Sequence, residues 1–422
     1  MTAVLTQPVH ADGQTWTIGT PRLLAGVTDH GIANHGVTND GALDLGTHLA
    51  VHGAMPGTDL DKLLSYLDSS GIAGRGGGGF PLATKLRALS GGRQRVIVNG
   101  SESEPASFKD RVLMRRTPHL VLDGALAVAA AVGTRDLTIA VHDAQSAAAL
   151  RAAIAQRGDA KRVRVATVAG GFVAGEARAL VRALAGGPAV PPGRRTHLTS
   201  QGVIVSNVET FAQVAVLLRL GPRRFAETGT HDEPGTTLLT VGGAVDRPGV
   251  VEIPLGTPLG IVLSAADAAS THAVVLGGYH GSWVEPNPAM LLSRAGVAAA
   301  GGSFGAGVLL VLDDATCHLG ELARVAGWLA GESAKQCGPC RFGLPALAAD
   351  VQALASGQTA GLSNAFRHAH AVDGRGACAH PDGAARFVTT GLHLLRDEVE
   401  RHLTHGGCGR PVLGRLNTGG AR

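Results

Sequence analysis

The residues of this chain best suited to chemistry are thiols. Three of its five cysteines are Cys337, Cys340 and Cys378, and the first two lie within Ser333-Ala334-Lys335-Gln336-Cys337-Gly338-Pro339-Cys340-Arg341. Helical patterns flank this Gly/Pro-containing turn, so its thiolates can converge on one centre. Two thiolates separated by two residues suit an iron–sulfur cluster, a zinc ion or a redox disulfide, and the pair alone does not choose among them. His380, close behind Cys378, offers the nitrogen that would complete a zinc set.

A second candidate site is the run Gly74-Arg75-Gly76-Gly77-Gly78-Gly79-Phe80-Pro81, with Lys85 soon after it. Glycines let successive N–H groups turn toward an anion and let a phosphate approach the backbone, and Lys85 could add a charge-assisted contact. A flexible surface loop is the competing reading of a glycine run. The short β-branched stretch Arg95-Val96-Ile97-Val98 then ends in Asn99-Gly100-Ser101-Glu102-Ser103-Glu104-Pro105. A dense polar cluster at the carboxyl end of a strand is where ligands bind in open α/β sheets.

The elements that must position these groups are legible in outline. Leu60, Leu63, Leu64 and Leu67 recur at helical spacing and stop at Gly71, which delivers the chain into the glycine run. Strand patterns at 137–141 and 163–166 are separated by an Ala-rich helical pattern over 145–156, an alternation that indicates a parallel sheet flanked by helices. Two further strand patterns surround Asp246-Arg247-Pro248-Gly249. A helical stripe from Leu319 leads to the cysteines, with more helices expected over 344–355, 362–370 and 383–403, which implies a four-helix bundle with the thiols at its end.

In order along the chain, the glycine run, Asn99 to Pro105 with Phe108-Lys109-Asp110-Arg111, Gly170 to Glu176, Ser206-Asn207-Val208-Glu209-Thr210 and the cysteine stretch resemble the FMN- and NADH-binding flavoprotein subunit of respiratory complex I. Related subunits occur in NAD-linked hydrogenases and formate dehydrogenases. The resemblance implies an α/β chain with a Rossmann-like FMN domain over 60–230. A small ubiquitin-like β-grasp domain of the SLBB type over 236–300 and a helical iron–sulfur domain over 315–405 follow, with a leader over 1–59 and a tail over 406–422. It implies FMN contacts at Arg75, Gly76, Gly77, Gly78, Lys85, Asn99, Ser101, Glu102, Ser103, Gly175, Glu176, Ser206, Asn207 and Thr210. Phe80 and Glu104 are carried over as nicotinamide-nucleotide contacts, with core packing the competing fate of Phe80. Cys337, Cys340 and Cys378 match three of the four ligands of a 4Fe–4S cluster.

Departures from the family pattern are specific. Ser101 stands where an Asp is usual, Ala177 where a second Glu is usual, and Ala334 where the first cluster cysteine is usual. The stretch Pro191-Pro192-Gly193-Arg194-Arg195-Thr196-His197 is short and lacks an aromatic. FMN is expected, NAD(H) is left unassigned, and Cys317, Cys408 or His380 become the candidates for a fourth cluster ligand. The expected activity is a relay from a two-electron donor, NADH if the cleft accepts it, through FMN and the cluster to a one-electron carrier such as a ferredoxin. The rival reading is a non-catalytic or zinc-binding scaffold that docks redox partners.

Composition narrows the setting. A formal charge of +4 over 422 residues, without long Lys/Arg runs, gives nucleic-acid binding no support. The first residues carry neither a basic segment nor a long apolar one, and no apolar run approaches the roughly 20 residues of a membrane span. An odd number of unevenly placed cysteines argues against a secreted disulfide framework and for a cytoplasmic setting.

Overall fold

The computed structural model describes residues 14–27 and 41–419. Its first sheet is entirely parallel, in the order Arg164–Thr167, Leu137–Val141, Arg95–Gly100, Val203–Asn207. The alternation along the central strand divides two cores. Val96 and Val98 face the larger one, built with helices Pro118–Ala131 and Val208–Phe225, while Ile97 faces a smaller one with Leu180, Val203 and Val205. Those two helices cross closely at Gly124, where a β-carbon would lie 1.8 Å from the carbonyl oxygen of Phe211, so only glycine fits.

The second sheet is mixed, in the order Thr15–Thr17, Gly249–Pro254, Thr236–Gly243, Val308–Leu312, Ala273–Leu276, Ser282–Val284. Its central pair, Thr236–Gly243 with Val308–Leu312, is parallel, and strands on either side of that pair run antiparallel to it. Helix Leu259–Ala265 covers one face through Leu259, Val262 and Leu263. This sheet therefore takes one strand from before residue 60 and another from beyond residue 300. The short edge strand Thr15–Thr17 carries too weak a pattern to be seen in sequence, yet Trp16 is buried against the sheet. Buried Glu252 fixes the segment behind it by accepting hydrogen bonds from the backbone N–H groups of Arg22, Leu23 and Leu24 at 2.9–3.1 Å.

Five helices follow: His318–Gly331, Leu344–Ala355, Gly361–Val372, His380–Leu394 and Arg396–His405. One helix was expected over 383–403, and two are present. The apolar stripe continues through the break as Leu392, Leu395 and Val399, so periodicity does not mark the point where Leu395 leaves helical geometry at ψ 19°. Among the described residues, no helix is long and apolar enough to cross a membrane.

Candidate functional site

The carboxyl ends of strands Arg95–Gly100 and Val203–Asn207 open onto a cleft of about 340 Å³. The glycine run forms one wall, Asn99 to Glu104 the floor, and Gly175, Glu176 and Ala177 the opposite lip. Of the residues expected at FMN, Arg75, Gly76, Gly78, Lys85, Asn99, Ser101, Glu102, Ser103, Gly175, Glu176, Ser206 and Asn207 all line it, as do Phe80 and Glu104. Gly77 and Thr210 stand behind the wall. Gly77 holds the turn at φ 88°, and Thr210 Oγ1 accepts a hydrogen bond from the Arg75 N–H at 3.0 Å.

Lining the cleft is not the same as presenting a side chain to it. The Arg75 guanidinium turns inward, donating to the Thr236 carbonyl at 3.1 Å beside Glu209. Glu102 caps helix Lys109–Arg116: its carboxylate accepts from the N–H of Asp110 at 3.0 Å, the N–H of Arg111 at 3.1 Å and Ser107 Oγ at 2.5 Å. Glu176 likewise caps helix Ala177–Leu184 through the N–H groups of Arg178 and Ala179. Glu104 accepts from the Tyr279 N–H at 2.8 Å, and burial pushes its carboxyl up to about 7.

What faces the cleft is cationic and under-satisfied. Lys85 donates to the Val205 carbonyl at 2.8 Å and has no ion-pair partner among the described residues, so desolvation lowers its pKa to about 8. The buried Ser101 Oγ has no hydrogen-bond partner. Gly175 leaves room at the lip: a β-carbon there would sit 2.4 Å from Ser103 Oγ. A bare lysine, an orphan hydroxyl and a backbone cradle are what a phosphorylated polar ligand requires, so the residues present fit FMN.

Sequence reasoning placed Asn207 at the site but left out Lys109 and Asp110, which meet it there. Lys109 reaches the cleft wall, with Asp110 Oδ1 at 2.8 Å, Glu209 Oε2 at 3.0 Å and Asn207 Oδ1 at 3.2 Å. Burial opposes its charge, but the carboxylates of Asp110, Glu209 and Glu102 outweigh that and hold its pKa above the ordinary value. Asp110 also accepts from Asn207 Nδ2 at 2.5 Å; burial raises its carboxyl to about 6 against the pull of Lys109. The Lys109-Asp110 pair entered the sequence reading only as part of a motif that carries the family resemblance, with no site role given to it, and no local signal says that it folds back onto Asn207.

The three expected thiols come together beside this cleft. Cys340 is buried on a π-helical turn, Pro339–Gly343, and Cys337 lies just before it. Burial raises Cys340 to about 12, with the neighbouring charges of Cys337 and Cys378 adding to the effect. Cys337 is held below its ordinary value: burial acts against this, but hydrogen bonds from Ala377 and Cys340 prevail. Cys378 is raised by burial and by the nearby Glu176 carboxylate. Arg194, from the short loop, brackets it by donating to the carbonyls of Gly376 at 2.8 Å and Cys378 at 3.0 Å.

None of the three fourth-ligand candidates joins them. His380 is engaged at both nitrogens, with His280 Nε2 and the Leu329 carbonyl each at 2.9 Å, which also removes it from a zinc set with the three thiols. Cys317 and Cys408 sit together with His402, which hydrogen-bonds the carbonyl of Ala355. Ala355 ends the helix that begins beside Cys340, and twelve residues at about 1.5 Å each separate the two groups by about 18 Å. By its chemistry the donor set suits an iron–sulfur cluster, with three grouped thiols and no fourth beside them.

A parallel-sheet domain with an anion-ready cleft, abutting a helical region with three grouped thiols, defines a flavin- and iron–sulfur-binding component of an oxidoreductase. Residues 67–216 match the Nuo51 FMN-binding domain, and residues 320–402 match the NADH-ubiquinone oxidoreductase-F iron–sulfur binding region. The NADH-quinone oxidoreductase-F protein of Streptomyces coelicolor is 31% identical over 82% of this chain and 84% of its own length. Its counterpart from Mycobacterium tuberculosis H37Rv is 30% identical over 82% and 86%. The chain belongs to the NADH-quinone oxidoreductase-F family. Among solved structures, an NAD+-reducing NiFe hydrogenase in its H2-reduced state superposes with a TM-score of 0.74 at 29% identity, covering 82% of this chain. The chain spans 63% of the length of that hydrogenase chain.

Proposed function

We propose that this chain carries electrons between a two-electron donor of the NAD(H) class and a one-electron carrier such as a ferredoxin or another redox protein, using FMN in the cleft and an iron–sulfur cluster on Cys337, Cys340 and Cys378. The observation that carries the reading is adjacency. Glu176 lines the cleft and is close enough to Cys378 for its charge to act on the thiol. The Phe172 N–H donates to Glu332 at 2.9 Å and Gln336 Nε2 to the Pro191 carbonyl at 3.0 Å, so the loops at the cleft lip and the cysteine turn are fastened together.

FMN, when bound, supplies hydride chemistry and single-electron release, and the cluster supplies a one-electron acceptor. The chain's own part is positional and electrostatic. Lys85 offers a cation to a phosphate, Ser101 offers a hydrogen bond to a polar edge, Asn99 holds the lip by donating to the Gly175 carbonyl at 2.9 Å, and the bonded pair of lip and cysteine turn fixes the separation of the two centres. Phe80, 54% exposed at the mouth and with Lys85 Nζ 6.0 Å from its ring centroid, supplies a face on which a nicotinamide nucleotide can stack. The middle sheet supports an SLBB-type β-grasp assignment through its parallel central pair flanked by antiparallel strands, and we give it a docking role.

The test is anaerobic purification with absorption and paramagnetic-resonance spectra before and after NADH. A flavin band bleached by NADH, with iron and sulfide lost in Cys337→Ser, is the expected result. Ala334 favours the scaffold reading, and a colourless chain holding neither flavin nor sulfide would establish it in place of the relay.

A further inference from the structure

The cluster that removes Cys317 and Cys408 from the iron–sulfur turn is itself organised. Among the described residues, Cys317, Glu398, His402 and Cys408 form a group whose ligand atoms all lie within 4.8 Å of one another, and the first three are buried. Cys317 Sγ is 3.4 Å from Glu398 Oε1 and 3.4 Å from His402 Nε2, while His402 Nε2 and Glu398 Oε1 are 4.0 Å apart. Tetrahedral zinc, with Zn–S of about 2.3 Å and Zn–N of about 2.0–2.1 Å, has S···N edges of about 3.6 Å. The donors stand at close to that spacing.

The surroundings orient these atoms as a metal would need. His402 Nδ1 lies 2.8 Å from the Ala355 carbonyl, which requires the proton on Nδ1 and leaves the Nε2 lone pair facing Cys317. Glu398 divides its oxygens: Oε2 pairs with Arg410 Nη2 at 2.5 Å and with His318 Nδ1 at 3.3 Å, while Oε1 accepts from the Leu319 N–H at 2.9 Å and keeps its remaining lone pair on the side of the group. Two thiolates and a carboxylate around a divalent cation leave one net negative charge, which Arg410 offsets. A cavity of about 470 Å³ lined by Cys317, His402, Cys408 and Arg410 gives an ion a route in.

We propose that Cys317, Glu398, His402 and Cys408 form a closed structural site for a zinc-class divalent cation, separate from the iron–sulfur turn. Two thiol protons leave to solvent as two metal–sulfur bonds form, with no change of oxidation state. The site joins the start of helix His318–Gly331, the last helix Arg396–His405 and the tail at Cys408, at the end of the helical region opposite Cys340. Mixed sulfur, nitrogen and carboxylate ligation without an open position suits zinc. The inference stands independently of what occupies the cleft.

The full chain, purified anaerobically under thiol reductant, is analysed for zinc and iron separately and titrated with Co2+. About one zinc per chain and an intense thiolate-to-cobalt absorption are expected, as for a tetrahedral site with two sulfur ligands. Cys408→Ser, in the half-buried tail, should lower zinc at least about tenfold with iron unchanged, and Cys337→Ser should do the reverse. Should Cys408→Ser fold poorly, wild-type chain stripped by chelator must regain its melting temperature on adding zinc. The proposal is overturned if wild-type chain takes up neither zinc nor cobalt, if zinc follows Cys337 and not Cys408, or if Cys317 and Cys408 are recovered as a disulfide that reductant plus zinc does not convert.

Discussion

Replacing Lys85 by Met should move stability and ligand binding in opposite directions. In the free protein Lys85 is a half-buried ammonium whose hydrogen bond goes to the Val205 carbonyl and which has no ion-pair partner among the described residues, and desolvation takes its pKa from 10.5 to about 8. That depression corresponds to a penalty on the order of 3 kcal/mol below pH 8. Residual solvent contact and the carbonyl left unpaired by Met reduce the net gain to about 1–2 kcal/mol. The sign follows from linkage: between pH 8 and 10.5 the unfolded chain binds the proton and the folded chain does not, so wild-type stability rises with pH across that window. Urea denaturation of flavin-free protein should therefore find Lys85→Met more stable at pH 7, with the advantage lost and then reversed by about pH 10.5, where neutral Lys85 still bonds the Val205 carbonyl. Fluorescence titration should find its FMN affinity lower by about tenfold or more, the value of a charge-assisted phosphate contact. A variant less stable at pH 7, or one that binds FMN as wild-type does, would refute the assignment of Lys85 as a cation kept bare for a ligand.

Gly175→Val should abolish flavin binding, because a β-carbon would lie 2.4 Å from Ser103 Oγ and displace the lip; retention of the yellow chromophore would show that the lip is not the cradle. Glu102→Ala should lower stability by about 2 kcal/mol through loss of the cap on helix Lys109–Arg116, with FMN affinity changed less than about threefold. Thermal melts and flavin titration on the same sample separate that cap from a direct contact. Phe80→Ala should leave the melting temperature unchanged, since the ring is exposed, and raise the KM for NADH by about two- to tenfold, as expected for the loss of one stacking contact of about 0.5–1.5 kcal/mol. An unaltered KM would remove Phe80 from the nucleotide site.

How much was legible in the sequence depended on whether the signal was local. Strand Val96-Ile97-Val98 and its polar terminus, the helical repeat ending at Gly71 and the alternation around 137–166 were all visible, because periodicity and turn residues act over a few positions. Twelve of the fourteen residues expected at FMN line one cleft for the same reason: each stands at the end of a readable strand or turn. Side-chain direction was not readable. Glu102 and Glu176 look like ligand contacts on the chain, and it is only the position of the next helix start that turns both into caps.

The chain by itself determined the parallel sheet, the glycine wall and the Cys337–Cys340 pair, since these follow from residue identity and short-range spacing; that Cys378 joins them and that a cysteine is missing at Ala334 is what the family resemblance implies. Only the tertiary structure decided that Lys109 folds back to Asn207, that strand Thr15–Thr17 closes the edge of a sheet formed far along the sequence, and that Cys317 and Cys408 meet His402 and not Cys337. Those outcomes depend on which helix ends lie side by side, a property of packed rods about 18 Å long that no nearest-neighbour pattern encodes.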